Sequence, residues 1–406
     1  MRQKWTLLTV LLLAATAGFA WTPEDQLKMK GVGDVRVSPD GRRVVFTVTE
    51  QVMETEKSER RTHIWLARAD GSDSFQLTRG EKSCTNPRWS PDGQWIAFTS
   101  ERSDKNNLWL IRADGGEAEQ LTDLKSGLGS FRWSNSGRWI AFTAPSDMSE
   151  EDEKKEKEKR DWKVLDTDFK FHRLWTLALE KDAEGKRAPR QLTLQHFHVE
   201  GEFDWSPDDW KIAFEHTPTP RVNDWPKTDV SEVEVASGIV RPLTNSEAAE
   251  FSPLYSPDGR WIAYIATDIP PTWASDGQVH VIPAAGGVPR TLAETFDRMP
   301  FLVDWTADGN ALIVQESRGT SPALYRLPLN GAPVTLYTPQ EGTFSAVSLN
   351  RGRNMLGFVA QTNMTAPEAF VAPVQSPTPV QVSRVNADLP QLPFGLTEVI
   401  RWKWPD

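Results

Sequence analysis

Few residues in this chain have the types and spacing that chemistry requires. His196 and His198 stand one residue apart in the stretch QHFHVEGE, and Glu200 and Glu202 follow at the same interval. On an extended strand successive side chains alternate between faces, so all four are expected on one face. Two imidazoles and a carboxylate make a zinc donor set. No loop motif supplies a further ligand, and alternating polar residues equally mark the wet side of a strand, so no metal and no cofactor is expected. Asp40, Asp92, Asp258 and Asp308 are carboxylates of the kind calcium takes. Each stands in its own copy of one recurring turn, where Asp serves the turn itself. Cys84 is the single cysteine, which excludes an intrachain disulfide and reads as a small buried or half-buried side chain. Asn363-Met364-Thr365 is a formal glycosylation sequon. A Gly-x-Ser-x-Gly nucleophile elbow and a phosphate-cradling glycine-rich loop are both absent from the sequence. A net charge of -10 without a basic stripe argues against a nucleic-acid partner, because a phosphate backbone is bound through Lys and Arg.

The elements that must position these residues are repeated ones. RWSPDGQWIAFTS, from Arg88, returns as RWSNSGRWIAFTA from Arg132 and as LYSPDGRWIAYIA from Leu254. Aligned on the first residue of Ser-Pro-Asp-Gly, the copies start at Ser38, Ser90, Ser134, Ser206, Ser256 and Thr306, with a degenerate seventh, LNRG, at Leu349. Intervals of 52, 44, 72, 50, 50 and 43 residues have the period of propellers and solenoids. In each unit a short strand ends in an aromatic residue (Trp89, Trp133, Trp205, Tyr255, Trp305), a turn follows, and an apolar strand leaves it. Pro presets φ at the second turn position, Asp suits the third, and Gly at the fourth accepts a positive φ. A third strand such as NLWLIRAD and a short fourth such as EQLT complete the unit.

Four antiparallel strands repeated radially describe a propeller blade, and helical periodicity is nearly absent. The fold class is therefore all-β, a seven-bladed β-propeller. Every blade finds its four strands within its own sequence, so the ring is expected to close without strand exchange. Blade 1 would pack on blade 7 through side chains alone, across a weaker seam. The 18 Trp residues recur inside the repeat and are read as packing elements first.

Residues 1–20 have the layout of a secretory signal peptide: Arg2 and Lys4, an apolar run over 7–15, and small residues ending at Ala20. The run is short for a membrane span, so a secreted or periplasmic protein is expected, with no membrane association after cleavage. Residues 21–383 form the propeller. Within it, 146–161 is a densely charged insertion with no apolar face, read as a solvated excursion. Residues 384–406 form a C-terminal extension.

The unit running from RWSPDGQWIAFTS to LWLIRADGGEAEQLT resembles the PD40 repeat of TolB-like proteins and of the propeller halves of prolyl oligopeptidase family serine peptidases. The stretches DTDFKFHRLWTLAL, HFHVEGEFDWSPD and LPFGLTEVIRWKWPD look most like the acylaminoacyl-peptidase and dipeptidyl-peptidase branch. The resemblance covers essentially the whole chain after the leader. It implies that 384–406 would lead into an α/β-hydrolase domain, missing here, that holds the catalytic triad. No catalytic residue is then expected in this chain, whose role would be to cover an active site and admit peptide substrates by size. Some dipeptidyl peptidases hold the substrate amino group with a propeller glutamate pair. On that resemblance Glu200 and Glu202 are candidate substrate contacts, against a simpler reading as solvated carboxylates at a channel mouth. The alternative is a standalone TolB-like periplasmic scaffold binding a protein or peptide partner on one face. Against it, TolB-type proteins carry an α/β domain before the propeller, and residues 21–34 leave no room for one.

Overall fold

The repeated turn is tied by its own side chains. In one copy the Ser90 hydroxyl donates to Asp92 Oδ1 at 2.5 Å and accepts from the Trp95 amide at 2.9 Å, while Asp92 Oδ1 also accepts from the Gln94 amide at 3.0 Å. The same bonds recur from Ser38, Ser206, Ser256 and Thr306. The turn residue Gly93 sits at φ +69°, a region that costs a residue without Cβ nothing. Local chemistry thus folds each first strand back on its second before any distant contact forms. The seventh turn corrects the sequence alignment by one residue. It starts at Asn350, whose Oδ1 accepts from the Asn354 and Met355 amides at 3.1 and 3.0 Å, and Arg353 takes the positive-φ position at +53°. One carboxamide oxygen there replaces both the hydroxyl and the carboxylate of the other turns.

The computed structural model describes residues 22–146, 154–155, 157–160, 169–199, 201–389 and 397–403. The leader 1–20, Glu200 and most of the charged insertion lie outside the described residues. The rest forms seven four-stranded antiparallel sheets, each with its strands in chain order. The first strands are Gly31–Val37, Cys84–Trp89, Phe131–Trp133, Phe203–Trp205, Glu250–Tyr255, Phe301–Trp305 and Thr343–Leu349, and they number blades 1 to 7. Because strands run alternately up and down, the first-to-second and third-to-fourth turns share one face of the ring. Second-to-third loops and blade-to-blade connections share the other, the loop face.

The core lies between adjacent sheets. Phe98 and Ile96 of blade 2 pack with Val45 and Ile64 of blade 1, and Trp205 and Phe214 of blade 4 with Ala141 and Leu174 of blade 3. The aromatic residue of the repeat adds a polar rivet. Trp89 Nε1 donates to the Arg36 carbonyl at 2.9 Å, Trp133 to that of Arg88 at 3.2 Å, Trp205 to that of Arg132 at 3.3 Å, and Trp305 to that of Leu254 at 3.1 Å. The inner strands of blades 2, 3, 4 and 6 are thereby bonded to the blade before them.

Blade 1 closes on blade 7 without exchanging a strand. Val35, Val37 and Phe46 share one apolar cluster with Val359, Val371 and Val382. The expectation of a seam held by side chains alone is corrected, because backbone groups take part. Ser348 Oγ donates to the Val35 carbonyl at 2.6 Å, and the Asn386 carboxamide accepts from the Lys30 amide at 2.8 Å and donates to the Lys30 carbonyl at 3.0 Å. The segment after the last strand returns to the first one and offers it a substitute peptide group. A short helix, Pro23–Lys28, precedes blade 1, with Thr22 and Asp25 forming a capping box. Among the described residues no helix is long and apolar enough to cross a membrane.

Candidate functional site

The site follows from alternation along the inner strands. Val35 and Val37 are buried in the core, so Arg36 between them points the other way, toward the axis. The equivalent residues, two before each turn, are Arg88, Arg132, Asp204, Leu254, Asp304 and Ser348. In five blades the register slips just before this residue: between Gly33 and Arg36, Thr85 and Arg88, Phe251 and Leu254, Leu302 and Asp304, and Ser345 and Ser348. Such bulges re-aim the side chain that follows. Asp34 and Asn86 hold the positive φ, at 46° and 56°, that their short polar side chains tolerate.

The result is an axial cavity of about 540 Å³, lined by residues that include Arg36, Arg88, Arg132, Glu202, Asp204 and Asp304. Charge is sorted around it, with guanidinium groups on blades 7, 1, 2 and 3 and carboxylates on blades 4 and 6. Arg132 reaches Glu202 Oε2 at 2.7 Å and Asp204 Oδ1 at 3.1 Å. Burial opposes its charge, but the two carboxylates raise its pKa above the ordinary arginine value. The Arg132 charge in turn holds Glu202 below the usual carboxylate range. Burial pushes Asp204 up to about 6, although Arg132 and the Tyr255 amide, 2.9 Å from Oδ2, work against it. Arg353 NH2 pairs with Asp304 at 3.3 Å.

Arg36 and Arg88 are served less well. Both face one oxygen of Asp34, at 3.8 and 3.5 Å. Burial lowers both pKa values, that of Arg88 to about 9 with the Arg36 charge as the next cause. The Nε of Arg36 is buried without a hydrogen-bond partner among the described residues. At the turn-face mouth Arg351 of blade 7 reaches across to the Asn135 carbonyl in the turn of blade 3, at 2.7 Å.

Of the residues singled out from sequence, Glu202 lies in this channel, paired with Arg132, and Glu200 lies outside the described residues. His196 and His198 do not share a strand face. The segment forms only an isolated bridge between His198 and Thr217, leaving His196 exposed and His198 buried with Nδ1 accepting the His172 amide at 3.0 Å. Among the described residues no group of three or more His, Cys, Asp and Glu side chains is placed to hold a metal. The turn aspartates stay in their turns, and Cys84 is fully buried. Sequence reasoning passed over Arg36, Arg88, Arg132, Asp204 and Asp304. Their signal was present in VRVS, PRWS, FRWS, FDWS and VDWT, where a charged residue alternates with buried neighbours.

A second feature lies on the loop face. Val222, Ile269, Trp273, Phe296, Met299 and Phe301 are exposed on loops or strand ends of the loop face in blades 4 to 6. The Trp225 and Trp273 rings meet at a tilt of 41° with their centres 4.9 Å apart. Trp210, Ile239 and Val288 are exposed on the turn face, so exposed apolar side chains stand on both faces, the aromatic pair on the loop face.

Comparison with known proteins agrees with the architecture. Residues 28–173 match the family model described as PD40, TolB beta propeller domain. An uncharacterized peptidase, YuxL of Bacillus subtilis, is 40% identical over 81 residues, which are 20% of this chain and 12% of that protein. Dipeptidyl-peptidase 5 of Porphyromonas endodontalis is 35% identical over 77 residues, 19% of this chain and 11% of that one. These matches therefore span a small part of the relatives' length. Among solved structures, an acylaminoacyl peptidase in complex with Z-Gly-Gly-Phe-chloromethyl ketone superposes with a TM-score of 0.63 at 15% identity, over 90% of this chain and 54% of that one. The β-propeller domain of the trilobed protease from Pyrococcus furiosus, described as having an open velcro topology, gives 0.62 at 14% identity over 89% of this chain and 97% of that domain. Residues 28–173 are thus similar in sequence to the TolB beta propeller family, shorter stretches are similar to dipeptidyl-peptidase 5 and peptidase YuxL, and the seven-bladed fold matches the propellers of acylaminoacyl peptidases.

Proposed function

We propose that this propeller is the substrate-gating, non-catalytic part of an exported serine peptidase of the prolyl oligopeptidase type. The observation that carries the reading is a polar axial channel in a ring whose loop face exposes apolar side chains on blades 4 to 6. A cavity of about 540 Å³ is within the size range of small-ligand sites, enough for a short extended peptide and far too small for a folded domain. The apolar loop face is the surface on which a hydrolase domain would sit. The fold match supports this arrangement, since the propeller accounts for about half of the acylaminoacyl peptidase it resembles. The leader-like residues 1–20 support export to the periplasm or beyond. Glu202, with Glu200 beside it in sequence, is the proposed contact for a positively charged group of the peptide.

The test uses the purified chain. Dipeptidyl and N-acylaminoacyl nitroanilides should show no hydrolysis above buffer, and a dye-labelled hexapeptide should bind while a labelled folded protein does not. Turnover that vanishes on substitution of a residue in this chain overturns the reading. The match to the TolB propeller family favours a second reading, a periplasmic scaffold. A stoichiometric partner recovered from periplasmic extract, together with no hexapeptide binding, would select the scaffold.

A further inference from the structure

We infer that Arg36 and Arg88 form a carboxylate-binding site inside the axial channel. The inference goes beyond gating and stands without it, because an anion would bind there whether or not another domain covers the loop face. Two guanidinium groups come from consecutive blades at the same rung, each delivered by a bulged strand. Asp34 is the one carboxylate they share, and its distances of 3.8 and 3.5 Å are long for charge-assisted hydrogen bonds. Arg88 NH1 also donates to the Pro87 carbonyl at 2.9 Å, whereas Arg36 Nε has no partner among the described residues.

The other channel arginines contrast with this pair. Arg132 has two carboxylates and Arg353 has Asp304. Glu202 is close enough to act on Arg36 and Arg88, but its bond goes to Arg132. Arg36 and Arg88 are two guanidinium groups against the single carboxylate of Asp34, one positive charge in excess at this rung. Two guanidinium groups brought together in a channel that leaves their side chains 31% and 27% exposed repel one another, and a planar monovalent oxyanion between them removes that repulsion. A carboxylate matches both the single charge and the fork geometry of arginine. The carboxylates of blades 4 and 6 disfavour a second anion. The carboxylate would come from the C-terminus of a peptide or from a free carboxylic acid.

The test is calorimetric titration of the full chain with acetyl-triglycine, its C-terminal amide, sodium acetate and inorganic phosphate at low ionic strength. The free acid should bind at least about tenfold more tightly than the amide, the scale of one lost charged hydrogen bond. Arg36→Gln and Arg88→Gln should each lose a similar factor, and Arg88→Lys should lose less. Arg187→Gln, which removes a rim pair with Glu119, should bind as the parent does. Tripeptide acid bound more tightly than acetate upholds the site and assigns it to peptide ends, and equal binding upholds it and assigns it to free carboxylates. Acid and amide bound alike, no binding, or phosphate preferred over both acids overturns it. Should a glutamine variant fail to fold, the acid-against-amide comparison on the parent chain and the graded Arg88→Lys loss decide the outcome. Failure of gating reads out separately, as hydrolysis by this chain.

Discussion

At Glu215 burial sets the protonation state. It pushes the carboxyl up to about 7, even though the Ser252 amide donates to Oε2 at 2.7 Å, and the nearby Glu202 charge pushes the same way. An unfolded glutamate titrates near 4.3, so between about pH 4.3 and 7 the native chain binds more protons than the unfolded one. That contribution to stability is full below the lower value and is lost as pH rises through the upper. Asp204, raised to about 6 by burial, adds to the same slope. The melting temperature should therefore fall between pH 5 and pH 8. Glu215→Gln should raise it most at pH 8, leave it nearly unchanged at about pH 4 and flatten the profile. Parallel profiles for parent and variant would show that Glu215 carries no such linkage. The indole rivets yield a second expectation. Trp133→Phe keeps the packing but leaves the Arg88 carbonyl without its 3.2 Å donor, a loss of about 1–3 kcal/mol. Denaturant titration checks both substitutions: Trp210→Phe, exposed after its turn, should stay within about 0.5 kcal/mol of the parent. The turn residues were legible in sequence because their bonds close within five positions. The channel arginines were passed over because their meaning depends on neighbours from other blades, although the alternation that aims them was readable.

Strands and hairpins were legible for the same local reason: periodicity of two, a turn with preset φ, and hydroxyl side chains that finish the sheet. Thr122 illustrates the last point, its Oγ1 accepting the Leu108 amide at 2.9 Å where the two-residue fourth strand runs out. The bulges had no sequence signal beyond Asp34 and Asn86, since the positive φ at Ser252 and Ala346 is imposed by the strands around them. Nor was the Asn386 clamp legible, because it joins residues 356 positions apart. Asn386 also donates to the Pro367 carbonyl at 3.0 Å, so Asn386→Ala removes three bonds at the joint that closes the ring. The expected cost is about 1–3 kcal/mol. Hydrogen exchange locates it: amides of Gly31–Val37 should exchange faster in the variant, while those of Phe203–Trp205, on the far side of the ring, keep the parent rate. Uniformly faster exchange in every blade would place the effect on the whole fold instead of the seam.

At the scale of the molecule, the repeat period and the turn chemistry were enough to read a seven-bladed ring, because each blade is nearly self-sufficient and its neighbours repeat its solution. What the ring does with its two faces was not readable, since a loop residue is assigned to a face only once strand direction is known. Up-and-down order puts Trp210, Ile239 and Val288 on the turn face and Val222, Ile269, Trp273, Phe296, Met299 and Phe301 on the other. An apolar face that docks a domain should also drive weak self-association when that face is bare. The net charge of -10 opposes association, and salt screens that repulsion while leaving apolar attraction intact. Sedimentation velocity at high salt should therefore show a coefficient that rises with protein concentration, and less so at low salt. Trp273→Ser combined with Phe301→Ser should abolish the rise, whereas Trp210→Ser should leave it. If the turn-face variant suppresses association as strongly, the loop face is not the docking surface. The gating arrangement then loses its second support, and the carboxylate site in the channel does not.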